Sequence, residues 1–371
     1  MADRVDEATA LVERVVADRA GEWDLAGELP VAALRELGAA GALCGEVAER
    51  HGGLGLGSLD NGELTARTGA LCGSVRSVQT SQGMAAWTVR RLGDQAQRAA
   101  VLPRLTGGSL AAVALSEPGA GSDLSAMATT VEDDPGEPGT VLVRGHKVWT
   151  TAARYADLLL VAGRRGDGAA VALVPATAPG VTITPVANPM GCRAAGHADV
   201  ELDDVRLPAT SVLGGDGVST ALLVTTVLAH GRLSVAWGCV GILRACLAAS
   251  AEHARTRRQF GVPLAAHQLV AGHLADLLVA EQVSTRVCEH ASRRWDESSA
   301  ELVTATVLAK HVSAGHAARA AATAVQVLAS AGAHDGHPVA RAYRDAKLME
   351  IIEGSNELCR LVLAEHAVAT A

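Results

Sequence analysis

The sequence predicts an α+β protein in three parts. These are an N-terminal α-helical domain (1–109), a small antiparallel β-barrel or sandwich domain (110–216) and a C-terminal four-helix bundle (217–371). Three observations carry this reading. Apolar residues recur at helical spacing at both ends of the chain. Short β-rich runs separated by Gly/Pro turns fill the middle. Aromatic residues make up only 2% of a chain that is 49% hydrophobic, so Ala and Val must fill the interior, which suits close-packed helices.

In the first part, ATALVERVVADRA and PVAALRELGAAGALC place apolar residues on one helical face, the second run opening at Pro30, a good first-turn residue. HGGLGLGS (51–58) interrupts them. Its Gly53-x-Gly55 lacks a preceding strand, the third glycine and a following acidic residue, so it reads as an inter-helix turn and not a dinucleotide loop. Two more helices are predicted over 58–73 and 79–106. In the second part, LAAVALS, TVLVRG, DLLLVAG, AAVALVP, GVTITPV and ADVEL read as strands of a small antiparallel sheet. In the third, Ala236, Val240, Leu243 and Leu247 share a helical face, and Val270, Leu274 and Leu277 point inward from a second helix over 265–295. A third runs over 300–331 and a last follows Pro338, its apolar segment DAKLMEII stopping at Glu353-Gly354.

Composition excludes several functions. A net charge of −8 without blocks of like charge gives no nucleic-acid footprint. No apolar run reaches the length of a membrane span and the N-terminus has no signal-peptide core, so the chain is expected to be soluble and cytoplasmic, with no membrane partner. The seven cysteines form no C-x-x-C pair and the 13 histidines no H-E-x-x-H, so no metal site is expected and the thiols are expected to be buried and reduced.

Four constellations carry chemistry. Leu115 to Asp123, LSEPGAGSD, follows a predicted strand; its backbone N–H groups and hydroxyls suit a phosphate or a polar ring edge, although an ordinary loop reads equally well. In His146-Lys147-Val148-Trp149-Thr150-Thr151, Trp149 is either a core residue or a stacking surface, with Thr151 two residues on. Arg255 to Gly261, RTRRQFG, holds the only Phe; Arg257 is either a solvated helix end or a bidentate pyrophosphate clamp. The fourth is Gln326 with Ala340 to Arg360, where Glu353 at the end of an apolar helix is a candidate general base with a raised pKa.

Together these resemble the acyl-CoA dehydrogenases. S-E-P-G-A-G-S-D resembles the family's T-E-P-x-A-G-S-D turn, and K-V-W-T-T its K-x-W-I-T strand. Gly191-Cys192-Arg193 through Leu202-Asp203-Asp204-Val205-Arg206-Leu207-Pro208 resembles G-x-R … F-D-D-V-x-V-P. R-R-Q-F-G followed by His267-Gln268 resembles R-x-x-F-G … Q, and R-D-A … I-I-E-G-S resembles R-D-A … I-Y-E-G-T. The likeness spans essentially the whole chain. It implies an FAD enzyme in which Leu115, Ser116, Gly121, Ser122, Trp149 and Thr151 line the cofactor. Arg257, Phe260, Gln268 and Gln326 would reach it from a neighbouring subunit of a homodimer or homotetramer. Ser355 would contact flavin, while Arg232 and Ser122 would lie near substrate. Glu353 would remove the thioester α-proton as the β-hydride moves to flavin N5. Some relatives carry the base just before the equivalent of Arg232; here that position is Gly231. Ile352 stands where many relatives have Tyr, and Ala329-Ser330 replace a glycine pair.

Runs such as SQGMAAWTVRRLGD, VAWGCVGILRAC and YRDAKLMEIIEGS further resemble homologues in polyketide clusters that help make methoxymalonyl-acyl-carrier-protein extender units. That likeness implies a carrier-protein-bound C3 hydroxyacyl thioester as substrate, with arginine pairs such as Arg90-Arg91 near the pocket mouth for an acidic carrier. The alternatives are a short-chain acyl-CoA dehydrogenase of general metabolism, a flavin oxidase or monooxygenase on the same fold, and a non-catalytic helical scaffold. No G-x-S-x-G or P-loop motif occurs, which disfavours a hydrolase or a nucleotide-triphosphate enzyme.

Overall fold

A computed structural model describes residues 2–370. The chain begins with helices α1 (Ala2–Val16), α2 (Ala20–Ala26), α3 (Val31–Ala39), α4 (Ser58–Leu71), α5 (Gly73–Leu92) and α6 (Gln95–Thr106). The single helix expected over 79–106 is two helices. Asp94 starts α6 with a capping box, its carboxylate accepting from Gln97 N–H while the Gln97 side chain accepts from Asp94 N–H. Gly53 sits in the turn between α3 and α4, so close to Val47 that no side chain fits there. Helix α5 is buried from Ser74 to Ala86 although much of it is polar.

The middle of the chain forms one eight-stranded sheet in the order β6-β7-β3-β2-β4-β5-β8, with β1 also pairing with β4. The strands are β1 (Ala111–Ala114), β2 (Thr130–Asp133), β3 (Thr140–Thr150), β4 (Leu158–Arg165), β5 (Gly168–Pro175), β6 (Val181–Pro185), β7 (Ala198–Pro208) and β8 (Val212–Val218). The sheet is mixed where an antiparallel one was expected, because β1 lies parallel to β4. Strands β2 and β8 went unread in the sequence, one being four residues long and the other glycine-rich, so neither shows a clear period of two. Tyr155 fastens the sheet to the N-terminal helices: its hydroxyl accepts from Leu29 N–H (2.9 Å) and donates to Ala194 O (3.0 Å).

Helices α7 (Thr220–Thr256), α8 (Gln268–Asp296), α9 (Leu302–Leu328), α10 (Pro338–Met349) and α11 (Asn356–Thr370) close the chain, with a short hairpin of β9 (Arg258–Gln259) and β10 (Val262–Pro263) between α7 and α8. The expected helix after Pro338 is α10, which ends at Met349 and so short of the expected stop at Glu353-Gly354; after a turn over 350–355 the chain adds α11, a helix the sequence reading did not separate. Helices α7, α8 and α9 pack on one another and α10 and α11 on α9. Contrary to the sequence expectation, one stretch among the described residues, in α7, is long and apolar enough to cross a bilayer; most of it is buried, as a core helix is. All seven cysteines are buried and unpaired.

Candidate active site between α5, α7 and the α10–α11 turn

Glu353 does not lie in a helix. It follows the end of α10 in the left-handed conformation (φ 55°), and Gly354 continues it at φ 90°. A non-glycine residue held there costs on the order of 1 kcal/mol, so neighbours must hold the turn. Three buried groups do so. Arg232 Nε donates to Glu353 O at 3.1 Å. Lys310 Nζ donates to Gly354 O (2.7 Å), Glu350 O (3.3 Å) and Asn356 Oδ1 (3.3 Å). Asn356 N–H donates to Glu350 O at 2.9 Å. Burial lowers the pKa of both Arg232 and Lys310, so their positive charge costs desolvation to maintain beside the turn.

The Glu353 carboxyl points at Gly231 and Met84. A Cβ at Gly231 would lie 2.6 Å from Glu353 Cδ and 2.8 Å from Met84 Sδ. Glu353 Oε2 is buried with no hydrogen-bond partner. Burial raises its pKa above the ordinary 4.5, opposed by the charges of Arg232, Lys310 and Arg76. A carboxylate whose buried oxygen is unpartnered and faces a glycine gap is free to accept a proton from a bound molecule.

The Leu115–Asp123 turn hangs on a buried ion pair. Lys147 Nζ donates to Glu117 Oε1 (2.7 Å) and to Leu115 O (3.0 Å), and Glu117 accepts from the Ala128 and Thr129 amides. Burial alone would raise the Glu117 pKa, but Lys147 and these amides hold it at about 2. Val148 N–H donates to Ser116 O at 2.9 Å, joining turn and strand. Gly121, Ser122 and Asp123 are exposed, and around Gly119 and Gly121 the space is open.

Trp149 is not a core residue. It sits in a β-bulge at φ 54° and is 52% exposed, held by its N–H to Asp199 Oδ1 at 3.0 Å. Thr151 Oγ1 meets His197 Nδ1 at 3.2 Å, and the rings of Trp149 and His197 are 5.7 Å apart. Burial pushes the His197 pKa down to about 4, leaving a neutral ring whose Nε2 is buried and unpartnered. An exposed indole, an open turn and an orphaned imidazole nitrogen together fit a flat, hydrogen-bonding ring such as a flavin. Ser81 Oγ on α5 donates to Thr151 O at 3.2 Å, while Met84, one helical turn along, faces Gly231 and Glu353. Ring surface and carboxylate are thus served by one helix.

Ser355 Oγ accepts from Leu358 N–H (3.3 Å) and so also caps α11. Arg257, Phe260, Gln268 and Gln326 are exposed, Phe260 at 94%, and no hydrogen bond among the described residues joins them to the turn or to Trp149 and Thr151. In this chain alone they do not complete the ring site. Sequence reasoning missed Arg76 and Lys310, whose charges oppose the rise in the Glu353 pKa. For Lys310 the signal was a charge closing the apolar run LVTATVLA.

Three domain models match in chain order: the acyl-CoA dehydrogenase N-terminal domain over residues 3–109, the middle domain over 112–205 and the C-terminal domain over 215–368. A probable acyl-CoA dehydrogenase, YngJ of Bacillus subtilis (strain 168), is 31% identical over 95% of this chain and 94% of its own. The structure of FkbI, for biosynthesis of the methoxymalonyl extender unit of the Fk520 polyketide immunosuppressant, superposes with a TM-score of 0.93 at 63% identity, covering 97% of this chain and 99% of that one. Butyryl-CoA dehydrogenase from Megasphaera elsdenii superposes with a TM-score of 0.93 at 27% identity over 99% and 97%.

Proposed function

We infer the reaction from a premise that these matches establish: the chain belongs to the acyl-CoA dehydrogenase family and is an FAD-dependent oxidoreductase. We propose that it dehydrogenates a short acyl thioester carried on an acyl carrier protein, in the making of a methoxymalonyl-type extender unit. The observation that carries the chemistry is the buried, unpartnered Glu353 Oε2 facing the Gly231 gap. The 63% identity to FkbI supports the carrier-bound C3 hydroxyacyl substrate.

FAD, when bound, supplies the two-electron acceptance that the protein lacks. The Leu115–Ser122 turn, Trp149 and Thr151 would hold it, with Ser355 beside it. Arg257, Phe260, Gln268 and Gln326 of one copy would reach the site of another in a homodimer or homotetramer, which their exposure supports. Glu353 takes the α-proton. Burial raises its affinity for that proton, and the turn fixed by Arg232 and Lys310 holds the carboxylate in place. Arg232 and Ser122 would lie near the thioester.

The test is a visible spectrum of the holoenzyme, followed by anaerobic addition of a carrier-protein C3 hydroxyacyl thioester and, separately, of short acyl-CoAs. Bleaching with the carrier-linked substrate is expected. Bleaching only with acyl-CoA would return the enzyme to general acyl-CoA metabolism. Fast reoxidation by oxygen would indicate an oxidase.

A further inference from the structure

Three buried polar atoms without a hydrogen-bond partner gather beside the α5–α7 seam: Glu46 Oε2, Gln79 Oε1 and His230 Nδ1. Glu46 comes from the turn between α3 and α4, and His230 precedes Gly231 on α7. The two form a pair, with His230 Nε2 3.2 Å from Glu46 Oε2 and side chains only 8% and 10% exposed. Helix α5 is notched to admit the imidazole: a Cβ at Gly83 would stand 2.4 Å from His230 Cε1. Trp87 and Trp295 wall the ring, their centroids 6.4 and 5.8 Å from it. Glu46, Gln79 and His230 share with Ser234 a cavity of about 10 Å³, room for one water. A single water there serves all three orphan atoms, each of which costs about 1–3 kcal/mol if left unpaired.

The cavity is linked to the base. Gly231 faces Glu353, while Ser234, one turn along α7, reaches the cavity. Ser234 Oγ meets Thr80 Oγ1 at 2.7 Å, and a hydroxyl rotates to take one proton and give another. Positions three apart on a helix stand about 5–6 Å from each other, a span that one water closes. Glu353 also feels the pair, since a positive His230 lowers its pKa. The other charged groups around the pair are Arg90, whose Nη1 donates to Glu46 O at 3.0 Å, and Asp296, whose pKa Glu46 raises. Dehydrogenation leaves the α-proton on Glu353, where burial holds it. While a thioester fills the space before the carboxyl, that proton has no direct way to solvent.

We propose that the His230–Glu46 pair takes the substrate proton from Glu353 and passes it to solvent. This deepens the reading above and rests on it for Glu353 as the base. The O–H bond on Glu353 breaks as an N–H bond forms at His230 Nδ1, and Ser234 and the waters between each accept one proton and give one up. The Glu46 carboxylate balances the imidazolium that results. His230 then returns the proton to the cavity water, which exchanges with bulk at the exposed edge of Glu46. Glu353 is left ionised for the next turnover and the pair is unchanged. His230 touches neither thioester nor flavin and acts only through Glu353.

The test uses holoenzyme in deuterium oxide with an acetyl thioester, offered on carrier protein and on CoA. Acetyl has α-hydrogens but no β-hydride, so a proton is removed and returned without reducing the flavin. Deuterium entering the acetyl group, read by mass spectrometry, reports how often the proton left Glu353 before its return. Single-turnover flavin reduction by the C3 hydroxyacyl thioester reads proton removal itself. The ratio of exchange to flavin reduction is expected to fall roughly 100-fold in His230→Gln and in Glu46→Gln, the lower end of what a positioned proton acceptor supplies, with Glu46→Asp restoring part of it. Urea unfolding checks that each variant folds, and Ser234→Ala, which leaves the pair in place, is expected to lower the same ratio. An unchanged ratio in the folded variants overturns the proposal, as does an equal fall in both rates, which would make the pair a packing element. Glu353→Gln separates the two claims. Wild-type flavin reduction in that variant refutes the base and the proposal together, whereas its loss beside an unchanged ratio in the His230 and Glu46 variants refutes the pair alone.

Discussion

Gly231→Ala is the most informative single change, because its effects on stability and rate separate. The new Cβ would stand 2.6 Å from Glu353 Cδ and 2.8 Å from Met84 Sδ. Ordinary carbon contacts begin near 3.5 Å, so the carboxylate must retreat by about 1 Å. Both obstructing groups are the far ends of flexible side chains, so overpacking costs about 1–2 kcal/mol. Replacing glycine inside a helix returns roughly 0.5–1 kcal/mol. The net change in stability is therefore within about 1 kcal/mol. Catalysis has no such compensation: a 1 Å displacement of a reacting group costs roughly 100-fold, or about 2.7 kcal/mol of barrier. Urea unfolding and anaerobic stopped-flow flavin reduction measure the two quantities. A folded, flavin-loaded Gly231→Ala enzyme that reduces its flavin at the wild-type rate would refute the placement of Glu353 as base.

Three further outcomes are expected. Lys310→Met leaves Gly354 O and the Asn356 amide oxygen without their buried donor and Glu350 O with the Asn356 N–H alone; a loss of about 2–3 kcal/mol in urea unfolding, with slowed turnover, is expected, and a variant as stable as wild type would remove Lys310 from the support of the turn. Ala329 sits at φ 51°, ψ −133°, a conformation natural only to glycine; Ala329→Gly is expected to stabilise by about 1 kcal/mol, relief of strain exceeding the entropy cost, and a destabilised variant would contradict the strain. The raised pKa of Glu353 gives rate and stability opposite pH profiles. Flavin reduction rises with pH through a midpoint above 4.5, because the base must be ionised, while the stability contribution of the protonated carboxyl is present below 4.5 and lost as pH rises through the folded-state value. Glu353→Gln is therefore expected to gain stability relative to wild type across that window, and identical pH–stability curves would contradict it.

The three-part architecture was legible because each part announces its own period. Helical spacing marks α7, where Ala236, Val240 and Leu243 are all buried, and β-rich runs bounded by turn clusters mark β3 to β7. What was not legible depended on tertiary contact. The parallel pairing of β1 with β4 joins segments over forty residues apart and leaves no local trace. The helix was read as running to a stop at Glu353-Gly354 because DAKLMEII has good propensity, whereas it ends at Met349; Lys310 and Arg232, distant in sequence, override propensity over 350–352 by capturing the backbone of the turn. Trp149 was ambiguous for a related reason. A β-bulge turns it outward, and bulges are set by pairing register and not by residue type. Arg76 was passed over because an arginine in a helix is usually solvated, whereas tertiary packing buries this one.

The most direct test of the central claim is single-turnover flavin reduction in Glu353→Gln with a carrier-protein C3 hydroxyacyl thioester. The expected result is a variant that holds FAD with an unaltered visible spectrum and binds substrate, yet bleaches at least about 100-fold more slowly than wild type, the usual worth of a positioned base. Bleaching at the wild-type rate would show that the buried carboxylate opposite Gly231 is not the base.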